Sequence, residues 1–124
     1  MLKTDKHILW FFPAVAVTMG IFLLSTVFTF PIQEEIEINY LDKFSHSFAY
    51  FVLILSLLIA FKKNELLNRK SMIYLIIGTS AYGLFLEWCQ YTFFPDRYFE
   101  WIDALANVIG VFLGLIIFIP FHRA

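Results

Sequence analysis

Three sets of polar residues interrupt apolar sequence at helical spacing. Asp42, His46 and Tyr50 recur at i, i+4 and i+8, with Lys43 beside the first; that spacing puts them on one helix face. Glu87 and Gln90 continue a row begun by Ser80 and Gly83, and Asp103 and Asn107 lead into Gly110 and Gly114. Arg97 stands between the last two sets, in PDRYFE. His46 could give or take a proton near neutral pH, oriented by Asp42 or Asp103. Glu87 could act as acid or base, making His46, Glu87, Asp42 and Asp103 the candidate catalytic groups. Arg97 suits phosphate or diphosphate by bidentate bonds and Lys43 as a point charge. Tyr50, Gln90 and Asn107 complete the candidate binding set.

Other chemistry is open to the same residues. His46 with Asp42, Glu87 and Asp103 could hold a hard divalent cation through oxygen ligands. Zinc would ordinarily call for more His or Cys, and His7 and His122 lie at the opposite end. No other cofactor is implied, and no serine elbow, phosphatase signature or Walker loop accompanies the set. Packing is the plainest alternative: Asn107 and Gln90 bonding between helices, Asp42 and Asp103 capping them.

The elements that carry these residues are apolar. The 124-residue chain is 60% hydrophobic, 20% aromatic and 15% charged, a composition that points to membrane spans. Four runs are candidates, at about 8–30, 44–61, 72–94 and 101–121, against the roughly 20 residues that a spanning helix needs. Lipid offers no partner for open backbone groups, so each run should be helical. The expected fold is all-α, a four-helix transmembrane bundle forming one domain over 1–124. The first run is too long for a signal-peptide core and lacks a small-residue cleavage site; Pro13 falls where a missing donor is best tolerated. The lone Cys89 reads as a buried apolar residue. The net charge of -1 gives no reason to expect nucleic acid as a partner. The segment IQEEIEINY, 32–40, reads as a short strand or an interfacial turn.

Orientation follows from short-loop lysines and arginines. Seven of the nine (Lys3, Lys6, Lys62, Lys63, Arg69, Lys70 and Arg123) sit at the two termini and in the middle loop, leaving only Lys43 and Arg97 elsewhere. Both termini should therefore be cytoplasmic. Every ionisable residue that encroaches on a span then falls in the outer leaflet; Glu87, seven residues before Phe94, would lie about 10 Å deep. A charge near mid-bilayer costs on the order of 3 kcal/mol on insertion scales, which Glu87 could escape by protonating, by pairing with Arg97, Lys43 or His46, or by meeting water. The polar faces should therefore converge on a cup open to the exterior, with the first helix as a wall and Trp101, Tyr98 and Tyr40 in an interfacial belt. A transport path would need polar groups in the inner leaflet, where VLILSLLIAF and VFLGLIIFIPF offer only Ser56 and glycine.

The order DKFSH (42–46), Tyr50, EWCQYTFFPDR (87–97) and DALANVIG (103–110) resembles the VanZ-like membrane proteins, whose pattern is approximately D-K-x-x-H, E-x-x-Q, P-x-R and D-x-x-x-N-x-x-G. The match covers residues 42–110. It implies a multi-pass protein of the bacterial inner membrane and marks Asp42, Lys43, His46, Glu87, Gln90, Arg97, Asp103 and Asn107. The family is named for a gene linked to teicoplanin resistance; glycopeptide resistance belongs to one branch of it. Together these readings point to a pocket for the head group of an envelope lipid, either a phospholipid or a lipid-linked cell-wall precursor.

Overall fold

Unbroken apolar sequence makes helix here, and the computed structural model describes residues 7–26, 40–93 and 101–123 of it. A 3-10 turn at Ile8–Trp10 runs into α1, Phe11–Thr26; then come α2, Tyr40–Lys63, α3, Arg69–Phe93, and α4, Trp101–Arg123. No strand occurs among the described residues. Lys43–Lys63, Arg69–Thr92 and Trp101–Pro120 are long and apolar enough to cross a membrane. Their 20 to 24 residues correspond to about 30–36 Å of helix, against a hydrocarbon core of about 30 Å. The all-α expectation therefore holds, with three such helices. The apolar helix Ile8–Leu24 is shorter. The remainder of the first expected span, 27–30, and the segment IQEEIEINY up to its last residue lie outside the described residues.

The core lies between α2 and α4. Leu53, Ile54, Leu58 and Val111 are fully buried, and Ile21, Tyr50, Leu86 and Phe118 extend the cluster to all four helices. Glycine sets how closely the two central helices approach. A Cβ on Gly110 would collide with the Ser47 carbonyl group of α2, and one on Gly114 with the Ile54 side chain. This is the small-residue packing that membrane helices use in place of a hydrophobic drive. The opposite faces show Phe12, Ile77, Leu105 and Ile116 to the surroundings, as hydrocarbon contact requires.

The α2–α3 connection is built at the other end of the bundle. Leu66 N–H donates to the Phe61 carbonyl and Glu65 N–H to that of Lys62, while Glu65 adopts φ 58. That is a Schellman termination, with Glu65 where glycine usually stands. Asn68 caps α3: its Oδ1 accepts from Ser71 N–H, and Ser71 Oγ accepts from Asn68 N–H, both at 2.8 Å. Asn64 Nδ2 donates to the His7 carbonyl at 2.8 Å, and the Lys63 ammonium lies 5.0 Å from the centre of the Trp10 ring. The start of α1 is thereby fixed to this basic turn.

Candidate functional site

α2, α3 and α4 each bring polar side chains to the end of the bundle away from the basic turn. On α4, Asp103 lies in the first turn with Asn107 one turn further on; they are 4% and 2% exposed. On α3, Glu87 and Gln90 are equally buried at 4% each. Burial of this degree is unusual for carboxylates and is sustainable when they are paired. From α2, Lys43 Nζ donates to Asp103 Oδ1 at 2.5 Å. His46 Nε2 lies 3.8 Å from the other oxygen of the same carboxylate, and His46 Nδ1 lies 3.2 Å from Asn107 Oδ1. His46 thus sets one ring nitrogen against the Asn107 amide and the other toward the Asp103 carboxylate. Glu87 closes the group: one ligand-capable atom from each of His46, Glu87 and Asp103 lies within 4.8 Å of the others.

The floor beneath them depends on an absent side chain. A Cβ on Gly83 would stand 2.9 Å from Asn107 Nδ2 and 3.2 Å from Tyr50 Cε2. Glycine at that point lets the Asn107 amide and the Tyr50 ring approach α3. Tyr50 is itself buried, its ring centre 6.4 Å from that of Tyr82, and Leu53 and Ile54 follow below it. Deeper hydroxyls turn back onto their own helices: Ser56 donates to the Val52 carbonyl and Thr79 to that of Leu75. The cluster therefore rests on an apolar core.

Of the residues singled out in the sequence, the structure brings Lys43, His46, Glu87, Asp103 and Asn107 together, with Tyr50 beneath. Gln90 is buried on the same face of α3, one turn from Glu87. Arg97 lies outside the described residues, as does the side chain of Asp42; Cys89 is a buried free thiol. The ion pair between Lys43 and Asp103 was not legible in the spacing. Lys43 is one position off the Asp42–His46–Tyr50 row, yet it reaches α4. Tyr82 was also missed: its hydroxyl donates to the Thr18 carbonyl of α1 at 2.8 Å, and no acidic or basic residue in its row drew attention to it.

The arrangement can exchange a proton at His46 beside a carboxylate, offer oxygen ligands to a cation from two helices, and present an ammonium to an anion that competes with Asp103 for it. In the comparisons with known proteins, no family model, no curated protein and no solved structure matches the chain.

Proposed function

We propose that the chain is a VanZ-like protein of the bacterial inner membrane, with both termini cytoplasmic, and that this cluster binds the phosphate-bearing head group of an envelope lipid and is suited to modify it. The observation that carries the reading is the convergence, from three helices, of partly buried Lys43 and His46 on buried Glu87, Asp103 and Asn107. Intramembrane ionisable groups are expensive and, as a rule, functional. A phosphate arriving at the cluster would draw Lys43 from Asp103; Arg97, outside the described residues, is the further phosphate ligand that the sequence suggests, its fork matching phosphate geometry. Asp103, relieved of Lys43, would then hold His46 as a proton donor or acceptor. The charge bias of the loops supports an outward-facing position for this end, where phospholipid and prenyl-phosphate head groups are found.

The test is lipid co-purification in a neutral detergent, read by mass spectrometry, for the wild type and for Arg97→Gln and Glu87→Gln. Enrichment of one phosphate-bearing lipid in the wild type and its loss in the variants supports the reading. A lipid profile equal to the bulk membrane in all three contradicts it.

One ligand-capable atom from each of His46, Glu87 and Asp103 lies within 4.8 Å of the others, which supports a second reading, a hard divalent cation held by these three residues. Elemental analysis of the purified protein decides: a stoichiometric divalent metal that disappears in Glu87→Gln supports the cation, and a chelator that changes neither metal content nor thermal stability removes it.

A further inference from the structure

A second feature lies on the far side of the Tyr50–Tyr82 pair. Thr18 of α1, Leu53 and Leu57 of α2, and Tyr74, Leu75, Gly78, Thr79 and Tyr82 of α3 enclose a groove of about 180 Å³. It follows α3 over residues 74–82, about 12 Å at 1.5 Å per residue. Its chemistry is decided by where its hydroxyls point. Thr18 donates to the Ala14 carbonyl, Thr79 to those of Leu75 and Ile76, and Tyr82 to that of Thr18. The hydrogens of these three are engaged within the protein; the fourth hydroxyl of the lining, that of Tyr74, belongs to an exposed residue. A water molecule needs two to four polar partners, whereas an apolar cavity of about 150 Å³ stays dry and takes up a benzene-sized hydrocarbon. The groove's interior therefore offers water and head groups little and suits a saturated chain.

The face on which it opens says where that chain comes from. Tyr74, Ile77 and Gly78 are exposed there, midway along a helix long and apolar enough to cross a membrane. In that setting the surroundings are lipid tails, and an empty groove would forfeit the dispersion contacts of its lining. The groove is open beside Gly78, where a Cβ would meet nothing within 4 Å. We propose that this groove between α1, α2 and α3 is a binding site for one hydrocarbon chain of a bilayer lipid. The proposal does not depend on the head-group reading. The two sites adjoin at the Tyr50–Tyr82 contact.

The experiment uses the full chain in phosphatidylcholine vesicles doped with a phosphatidylcholine carrying a diazirine in one acyl chain, with adducts located by mass spectrometry after illumination. Adducts should concentrate on Leu57, Leu75 and Tyr82 relative to Ile116 and Ile117, which are apolar and exposed on α4. Gly78→Phe should fill the groove and abolish the first set while leaving the second. Gly78→Leu provides the same reading if the larger variant does not fold. Gly20→Phe, at a position equally open but outside the groove, should leave both sets, and Glu87→Gln should leave groove labelling intact even where it abolishes head-group binding. Labelling no denser in the groove than on Ile116, or unchanged by either Gly78 variant, overturns the proposal. So does disulfide capture of two copies through Gly78→Cys, which would make the groove a contact between protomers.

Discussion

The Lys43 ammonium of α2 lies 2.5 Å from Asp103 Oδ1 of α4, joining two helices at the mouth of the polar cluster. Asp103 is almost fully enclosed and Lys43 about one-fifth exposed. Removing either charge should hurt more than removing both, because a single deletion strands the other charge in a poorly solvated place. A double-mutant cycle with Lys43→Met and Asp103→Asn should give a coupling of about 1–3 kcal/mol. Reversible unfolding in mixed micelles measures it. Additive effects would mean that the two groups do not act as a pair.

Two glycines in similar helical sequence should respond oppositely to the same methyl group. A Cβ on Gly110 meets the Ser47 backbone, which cannot move without displacing α2. Gly110→Ala should therefore cost about 1–3 kcal/mol as overpacking. Gly20→Ala enters open space and should gain up to about 1 kcal/mol from helix propensity. Thermal unfolding of both variants checks the contrast, and an equal response would deny that α2 and α4 touch there.

The connection between α2 and α3 predicts a gain. Glu65 holds a left-handed conformation at φ 58 that an L side chain adopts at a cost of roughly 1–2 kcal/mol. Glu65→Gly should stabilise the protein by up to about 1 kcal/mol, part of the relief being offset by the freer unfolded chain. Asn68→Ala, which removes the cap of α3, should destabilise by about 1 kcal/mol. Unfolding midpoints read both, and a destabilised Glu65→Gly would contradict the termination described above.

How much of this the sequence could disclose depends on range. Apolar runs and the all-helical fold were legible because lipid leaves the backbone no alternative. The rows through His46, Glu87 and Asp103 were legible because helical spacing is fixed, so residues three and four apart share a face whatever surrounds them. The glycines of α4 announced a close helix contact for the same reason. Across helices the sequence is silent on rotation and axial offset, which decide partners. Lys43, placed in the sequence as a phosphate ligand, meets Asp103 sixty positions away. The groove was invisible for a further reason: Thr18, Thr79 and Tyr82 turn their hydroxyls onto backbone carbonyls, and such bonds leave no mark on hydropathy or periodicity. Glu65 gave no sign of a helix stop because the left-handed residue is not glycine.

The central claim is that one cluster, assembled from α2, α3 and α4, takes a phosphate-bearing head group. It is tested most directly by phosphorus NMR of the purified protein in a neutral detergent, titrated with a short-chain phosphatidic acid. The wild type should give a saturable shift of the phosphate resonance, and Lys43→Met, His46→Phe and Glu87→Gln, each confirmed folded by circular dichroism, should each weaken or abolish it. A shift that never saturates, or one that all three variants reproduce unchanged, would contradict the account.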